Sequence, residues 1–404
     1  MIVHSGEYRK KNGQRGYVMM NNFIFENKTK VYFGKGGVKE YLGGLLANFG
    51  ETVMLAYGGG SIKCNGVYDE IMGILNAQGK CVVEFSGIMS NPTYQKVQEG
   101  AKLARENHVD LILAVGGGSV SDCCKVISAQ ANLDEDIWEM LYAKHTLPTK
   151  FIPLGTIVTV FGTGSEMNNG AVITNEEKKI KGALWGAQAE FAFLDPAYSL
   201  SVPMQQVISG AFDTLSHAME TYFGKPDENN LSDDINEAVM RSVIRNIRIL
   251  LTDPENYDAR SELAWASAMA ENGVLKIGKV TDFQCHMLEH QLGAYTDCNH
   301  GAGLAVIHPV LYRHIYKSGA ARFARFAQNV WGITPRDSDE ETAAAGIDAL
   351  AAFIKEIGLP TSFAELGIPA DTDFRAVADS TNVTAGCCKK LTHDEIYEIL
   401  QECL

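Results

Sequence analysis

Histidines and a carboxylate are concentrated in one stretch of the sequence, at spacings that suit a metal site. Five of the ten histidines fall within a single span of the chain: His217, His286, His290, His300 and His308. Asp213 and His217 are one turn apart on a predicted helix and therefore share a face of it. His286 and His290 repeat that spacing on a second predicted helix, and His300 follows in a loop. One carboxylate with several imidazoles is a mixed oxygen and nitrogen ligand set that suits Fe²⁺ or Zn²⁺.

The same histidines permit a different interpretation. The run His286-Met287-Leu288-Glu289-His290 matches the inverted zinc-protease signature, in which both histidines bind zinc and the glutamate acts as the base. This interpretation leaves Asp213 and His217 without a role, and a protease has no use for the glycine-rich loops found elsewhere in the chain. A zinc protease is therefore kept only as an alternative, as is a nucleotide-binding protein without catalytic activity.

Glycine-rich loops indicate phosphate binding. The sequence Gly-Gly-Gly-Ser occurs at Gly58, Gly59, Gly60 and Ser61, and again at Gly116, Gly117, Gly118 and Ser119. Each copy joins a β-type run to a helical pattern, so the backbone can approach a phosphate and the helix start supplies N–H groups and a positive dipole. Ser119 is the expected N-cap, and Asp122 would complete a capping box. A third loop, 162–166, follows the β-like run 156–160. Together the loops predict a nucleotide site.

Two kinds of segment are expected to position these groups. Between about Val31 and Pro153, buried strands at 52–57, 81–85 and 111–115 alternate with helical patterns, which is typical of a parallel, doubly wound α/β domain. Beyond Asp195, eight segments carry apolar residues at helical spacing and β-type alternation fades. We therefore predict a Rossmann-like α/β dinucleotide-binding domain at 1–195, followed by an all-helical metal-binding and substrate domain at 196–404.

The composition of the chain excludes several classes of protein. With 404 residues, 46% of them hydrophobic, and a net charge of −14, it can bury sizeable cores and would be repelled by nucleic acid and by anionic membranes. The N-terminal residues lack the apolar run of a signal peptide, and no stretch reaches the roughly 18 apolar residues of a spanning helix. Nine cysteines without a CxxC motif indicate reduced thiols. We expect a cytoplasmic protein whose partner is a small molecule, with no nucleic acid or membrane partner.

The combination of these motifs resembles the iron-containing, or group III, alcohol dehydrogenases over roughly residues 20 to 404. The resemblance rests on both Gly-Gly-Gly-Ser loops, the loop at 162–166, the run 213–220, and the runs 286–290 and 300–303. Glu289 and the run 58–66 are similar to the butanol dehydrogenase branch in particular. The chain departs from the family pattern at Cys64, where close relatives often carry a lysine, and at Cys298 and Asn299.

The resemblance implies a reaction and a role for each residue it covers. The implied metal ligands, for Fe²⁺ or alternatively Zn²⁺, are Asp213, His217, His286 and His300. His290 is implied as a catalytic residue beside the nicotinamide. Gly117, Gly118 and Ser119 would hold the pyrophosphate, Thr156 and Thr159 would line the cofactor site, and Lys181 would reach the ribose. The expected reaction is reversible hydride transfer between NAD(P) and a primary alcohol or aldehyde, such as butanol or butyraldehyde, in a homodimer. Alternatives of the same fold are a polyol (glycerol-like) dehydrogenase and a dehydroquinate-like lyase.

The loop after the first strand favours NADP(H) over NAD(H). Many dinucleotide folds select NAD by placing a carboxylate against the ribose 2′-hydroxyl. By resemblance to this family, the loop 57–63 is the expected place for that carboxylate. In this chain the loop contains no acid. The glycines leave room for a 2′-phosphate, Ser61 can donate a hydrogen bond to it, and Lys63 adds a positive charge. We therefore predict that NADP(H) is the preferred coenzyme.

Overall fold

The computed structural model describes residues 20–226, 229–384 and 388–404, and within them the chain forms two compact units. The α/β unit comprises 27–210 and 254–268, and the helical unit comprises the remainder. The prediction placed one boundary after Asp195, whereas the structure assigns 196–210 and 254–268 to the α/β unit as well. Side-chain contacts connect 254–268 to the α/β unit, because the hydroxyl of Ser267 accepts hydrogen bonds from the backbone of Gly162 and Gly164 at 2.9 and 3.0 Å. The N-terminal residues that were interpreted as lacking a signal peptide lie outside the described part of the chain.

The strands belong to the α/β unit. In the described residues they are β1 Lys30–Phe33, β2 Thr52–Tyr57, β3 Cys81–Phe85, β4 Leu111–Gly116, β5 Leu154–Val158, β6 Gly170–Asn175, β7 Ile180–Trp185 and β8 Phe191–Leu194. Six of them form a parallel sheet in the order β1-β8-β5-β4-β2-β3, and β6 and β7 form an antiparallel pair. The parallel sheet confirms the predicted fold class. The antiparallel pair was not predicted, because the residues that join its strands (176–179) lack the Asn-Gly or Asp-Gly signal of a tight hairpin.

Both faces of the parallel sheet are covered by helices. Along β2, Met54 and Ala56 pack into one hydrophobic core, whereas Val53, Leu55 and Tyr57 pack into another on the opposite face. Successive side chains of a strand point to opposite faces, so a continuous apolar run fills both cores. Each fully buried Leu or Val contributes about 1.5–3 kcal/mol to the burial free energy. This is the doubly wound arrangement that the apolar runs predicted.

The strand order reverses between β2 and β4. The chain passes from β2 to β3 on one side and then returns to β4 on the other side of β2. Tyr57 at the end of β2 lies opposite Val115 near the end of β4, so the loops that follow these two strands begin side by side. Doubly wound folds bind ligands outside the carboxyl ends of the strands at such a reversal. The topology therefore brings the two Gly-Gly-Gly-Ser loops to the expected binding edge.

The helices agree closely with the predicted segments. Their bounds are α1 Gly37–Leu46, α2 Ser61–Cys64, α3 Val67–Ala77, α4 Tyr94–Glu106, α5 Gly118–Gln130, α6 Ile137–Tyr142, α7 Met204–Tyr222, α8 Leu231–Thr252, α9 Tyr257–Glu271, α10 Gln284–Thr296, α11 His300–Ile315, α12 Ala320–Trp331, α13 Asp339–Glu356, α14 Phe363–Leu366, α15 Phe374–Ser380 and α16 His393–Glu402. Each of the eight helical segments predicted beyond Asp195 corresponds to one of them. No helix among the described residues is long and apolar enough to span a bilayer.

Candidate metal centre and coenzyme loops

The glycines of the second loop are required by close packing. A Cβ on Gly116 would lie 2.5 Å from Val120, and a Cβ on Gly118 would lie 2.1 Å from the hydroxyl oxygen of Thr163. Side chains of any size are therefore excluded here, and the backbone of α5 begins directly at the strand end. The first N–H groups of a helix have no partner within the helix, which makes this start a suitable anion site.

The predicted cap of α5 is wrong. Gly117 is the N-cap and contributes no side chain, while the hydroxyl of Ser119 donates to the backbone carbonyl of Ser90. The Asp122 carboxylate accepts hydrogen bonds from the hydroxyl of Ser165 and, at 2.8 Å, from the backbone N–H of Val172. These partners come from a distant loop and from β6. The spacing of Ser119 and Asp122 also fits a capping box, so local spacing alone could not identify the true partners of Asp122. Any contribution of Asp122 to coenzyme binding stays a prediction.

The first loop differs from the second in having open space. A Cβ on Gly59 would meet no atom within 4 Å, and Gly60 has a φ of +101°, which favours glycine. The helix that follows, α2, begins at Ser61. The space next to Gly59 is therefore compatible with a ribose 2′-phosphate, as the prediction of NADP(H) requires.

Lys63 has an acidic partner that was not predicted. Its Nζ lies 3.3 Å from the carboxylate of Glu84 in β3, which also accepts hydrogen bonds from the hydroxyls of Tyr57 and Tyr68 at 2.6 and 2.7 Å. The tyrosine hydrogen bonds lower the pKa of Glu84, so the carboxylate is ionised at neutral pH. The loop itself contains no acid, but the neighbouring strand supplies one to its lysine.

The remaining predicted coenzyme residues lie at two places in the α/β unit. Thr156 is buried in β5, where its hydroxyl has no hydrogen-bond partner among the described residues. Thr159 follows the end of β5, and its backbone N–H donates to the carbonyl of Gly116 at 2.9 Å. Lys181 lies in β7, opposite Thr174, and is almost fully buried. Thr159 is thus adjacent to the second glycine loop, whereas Lys181 belongs to the antiparallel pair.

The four predicted metal ligands all lie in the helical unit. Asp213 and His217 lie one turn apart in α7, His286 lies in α10, and His300 is the first residue of α11. The prediction placed His300 in a loop. The structure corrects this by one residue, because Asn299 is the N-cap and its side chain accepts a hydrogen bond from Ala302.

One ligand atom from each of Asp213, His286 and His300 lies within 4.8 Å of the other two, which suits a bound cation, whereas His217 does not join this group. From Oδ1 of Asp213, the nearest ring nitrogens of His217, His286 and His300 lie at 3.8, 3.5 and 3.4 Å. Ligand atoms about 2.1 Å from a tetrahedral cation lie about 3.4 Å from one another. Among the described residues, the Asp213 oxygen and the facing nitrogens of His217 and His286 have no hydrogen-bond partner. Buried polar atoms are rarely left in this state, so the residues present fit a bound dication.

A buried glutamate lies behind His286. Glu220 accepts hydrogen bonds from Nδ1 of His286 and, at 2.7 Å, from the backbone N–H of Cys285 in the first turn of α10. Nε2 of the same imidazole faces Asp213. Carboxylates in this position orient ligand histidines and fix their tautomer. The sequence carried a signal for this role, because Asp213, His217 and Glu220 are spaced i, i+4, i+7 on one helical face.

Glu289 is occupied by a different interaction from the one a protease requires. It is fully buried and accepts a hydrogen bond from Nδ1 of His300. The general base of the inverted zinc-protease signature must instead face a water on the metal. The protease interpretation of residues 286–290 is therefore wrong. No local spacing could have identified the pair, because Glu289 and His300 lie on consecutive helices.

The charges of the centre call for a cation. Burial alone would raise the pKa of Asp213, but the nearby His217 and His300 outweigh burial and hold that pKa well below its ordinary value. Burial alone would lower the pKa of His286, but Glu220 and Asp213 outweigh burial and raise that pKa to about 10. The buried carboxylates are therefore stable only with positive charge close to the ligand atoms. A bound dication would supply this charge while the imidazoles stay neutral.

The other two histidines of the group lie beside the ligands. The ring centroid of His290 is 5.8 Å from that of His286 and 5.4 Å from that of His300. His308 is buried, its Nε2 pairs with the hydroxyl of Ser216 at 2.6 Å, and burial lowers its pKa to about 4. His290 is therefore close to the centre and, with Glu289 and His300, forms a second group that could hold a metal ion, while His308 belongs to the helix packing.

Two family profiles match the chain in succession. The profile of iron-containing alcohol dehydrogenase matches residues 28–196, and the C-terminal profile of the Fe-containing alcohol dehydrogenase family matches residues 207–404. The chain belongs to the iron-containing alcohol dehydrogenase family. The family and fold predicted from the sequence are thereby confirmed.

Relatives place this alcohol dehydrogenase in the butanol dehydrogenase-like branch. It is 36% identical over 390 residues to the NADH-dependent butanol dehydrogenase A of Clostridium acetobutylicum, covering 95% of this chain and 100% of that protein. It is 37% identical over 356 residues to an NADPH-dependent aldehyde reductase of Escherichia coli, covering 86% and 90%. The crystal structure of NADH-dependent butanol dehydrogenase A from Thermotoga maritima matches with a TM-score of 0.90 and 34% identity, covering 96% of this chain and 100% of that one. Relatives thus include users of either coenzyme.

Proposed function

We propose that this protein catalyses reversible hydride transfer between NAD(P) and a primary alcohol or aldehyde. Butanol and butyraldehyde are the reference pair. Asp213, His217, His286 and His300 are the metal ligands. Membership of the family identifies it as an alcohol dehydrogenase, and the names of its relatives support the substrate class. The observation that carries the metal site is the grouping of ligand atoms from Asp213, His286 and His300 within 4.8 Å of one another, with a ring nitrogen of His217 3.8 Å from Asp213. Oδ1 of Asp213 and Nε2 of His286 are buried and have no hydrogen-bond partner among the described residues.

Each group has a distinct task in this reaction. When bound, Fe²⁺ or alternatively Zn²⁺ supplies a Lewis acid for the substrate oxygen, and the nicotinamide supplies the hydride chemistry. Glu220 and Glu289 hold the rings of His286 and His300. His290 accepts and returns a proton at a ring nitrogen, since a histidine titrates near neutral pH. The start of α5 at Gly117 binds the pyrophosphate.

The metal assignment is tested by preparing the protein without metal and reloading it anaerobically with Fe²⁺ or Zn²⁺. Reduction of butyraldehyde should depend on the added metal, and His217→Ala should bind far less of it, because one of four ligands is lost. Full metal content and activity in His217→Ala would overturn the assignment.

We further propose a preference for NADP(H) over NAD(H). The open space at Gly59, the hydroxyl of Ser61 and the charge of Lys63 support it, while Glu84 partly neutralises Lys63 and limits the preference. Gly59→Asp should shift the ratio of kcat/KM values toward NAD(H) by about tenfold or more, because about 1.4 kcal/mol of repulsion suffices. Gly59→Asn is the matched uncharged control. A wild-type enzyme that prefers NAD(H) would contradict the proposal.

We also propose a homodimer located in the cytoplasm. Phe23, Ile24 and Phe25 are consecutive apolar residues with exposed fractions of 43%, 76% and 42%, and such runs mark interaction surfaces. The cysteine composition supports a reducing compartment. Analytical ultracentrifugation should give twice the mass of one chain for the wild type, and Ile24→Lys should weaken the association. A monomeric wild type would refute the dimer.

A further inference from the structure

Glu289 joins α10 to the first turn of α11 through a buried contact. Its carboxylate accepts a hydrogen bond from Nδ1 of His300, and the thiol of Cys298 donates to its other oxygen at 3.8 Å. The side chain of Glu289 has no exposed surface, whereas that of His300 is 24% exposed. An ionised carboxylate is costly to bury unless it is paired, so its interaction with His300 is a structural requirement of this region.

The first turn of α11 is shaped around this carboxylate. A Cβ on Gly303 would lie 3.0 Å from Cγ of Glu289, 3.2 Å from its Oε1 and 3.5 Å from Sγ of Cys298. The contacts at 3.0 and 3.2 Å are tighter than ordinary van der Waals packing, so a Cβ at this position would require the glutamate to shift by a few tenths of an ångström. Gly303 thus gives Glu289 the room to reach His300.

The contact determines which nitrogen of His300 can bind a metal. A neutral His300 that keeps its proton on Nδ1, facing Glu289, presents an unprotonated Nε2 toward Asp213, and Nε2 lies 3.4 Å from Oδ1 of that residue. Metal binding requires a neutral imidazole in this tautomer and orientation. Glu220 performs the same task for His286, where it is also held by the backbone of α10.

We propose that Glu289 is a positioning residue that sets the metal affinity of the centre through His300. This inference rests on the proposed metal site. Loss of a carboxylate behind a ligand histidine typically costs 10- to 100-fold in metal affinity. The isosteric substitution Glu289→Gln removes the charge and keeps the volume, so an effect of that size is expected here.

The test measures Co²⁺ binding to the full-length protein prepared without metal. The dissociation constant is obtained by competition with a chelator, and the visible absorption bands of bound Co²⁺ report the ligand geometry. Glu289→Gln should raise the dissociation constant 10- to 100-fold and shift the bands. Glu237→Gln is the matched control, because Glu237 is a buried glutamate of the same unit that pairs with Tyr222 and Asn329 and should leave both measurements unchanged.

The results of this test distinguish failure of the proposed metal site from failure of the proposed role of Glu289. A wild-type protein that binds no Co²⁺ would overturn the proposed metal site itself. A wild-type protein that binds Co²⁺, together with an unchanged affinity and spectrum in Glu289→Gln, would overturn only the role of Glu289. Equal losses in Glu289→Gln and Glu237→Gln would also overturn it, since the effect would then be general. If Glu289→Gln does not fold, Gly303→Ala should lower the Co²⁺ affinity, and wild-type affinity in that variant would overturn the proposal.

Discussion

At the scale of single residues, carboxylates decide the behaviour of the centre as much as histidines do. Asp213 faces the ring nitrogens, while Glu220 and Glu289 hold the far sides of His286 and His300. This arrangement separates the proposed metal ligands from the residues that orient them. His290 lies next to His286 and His300, and with Glu289 and His300 it forms a second group that could hold a metal ion.

The first prediction concerns His290. His290→Ala should retain its metal and lose rate by about 10²-fold or more, because a general acid and base typically contributes that much. Metal content and kcat measured on the same preparation provide the check, and added imidazole should restore part of the rate. Loss of metal together with activity would instead identify His290 as a ligand.

The second prediction concerns the pair formed by Lys63 and Glu84. Glu84→Gln removes the negative charge beside Lys63, so the ratio of kcat/KM for NADPH over NADH should rise several-fold. Tyr68→Phe is the control, because it removes one hydrogen bond to Glu84 and leaves its charge. An unchanged coenzyme ratio in Glu84→Gln would show that Lys63 does not contact the coenzyme.

At the scale of elements, the loops after β2 and β4 share a sequence and differ in the reason for their glycines. In the second loop, neighbouring side chains exclude a Cβ on Gly118. In the first loop, a Cβ on Gly59 would meet open space. Identical motifs therefore place different constraints on substitution.

This contrast gives the third prediction. Gly118→Ala should destabilise the protein by about 1–3 kcal/mol and weaken coenzyme binding, because the new Cβ would displace Thr163. Gly59→Ala is the matched control and should change the free energy of unfolding by much less. Urea unfolding and coenzyme titration measure both effects. Equal stability of the two variants would argue against the packing explanation.

At the scale of the whole molecule, the proposed metal ligands come from three helices of the helical unit, whereas the proposed coenzyme loops belong to the α/β unit. A ligand that binds only the folded protein stabilises it by mass action. Metal binding should therefore stabilise the unit that contains Asp213, and a protein of two units need not unfold in a single step.

The fourth prediction follows from this coupling. Removal of the metal with a chelator should lower the free energy of unfolding of the wild type. The expected loss is about 2.7 kcal/mol relative to a sample that contains free metal at about one hundred times its dissociation constant. Calorimetry before and after readdition of Zn²⁺ measures the change. His217→Ala should respond far less to the chelator. Identical transitions for the wild type with and without metal would contradict the prediction.

The sequence by itself determined the eight helices predicted beyond Asp195 and the strands β2, β3 and β4 of the parallel sheet, and it predicted the residues proposed as metal ligands. These features depend on local periodicity, and the i, i+4 spacing of Asp213 and His217 places both on one helical face whatever surrounds it. The Gly-Gly-Gly-Ser loops were recognisable for the same reason, since strand, glycines and helix follow one another along the chain.

Only the tertiary structure decided the partners of the charged groups. Glu220 meets His286 across 66 residues, and Lys63 meets Glu84 across 21, so neither pair has a local signature. The cap of α5 was mispredicted because Asp122 binds Ser165 instead of the nearby backbone. A carboxylate can satisfy its hydrogen bonds in many ways with nearly equal free energy, and the packing of distant elements selects one of them.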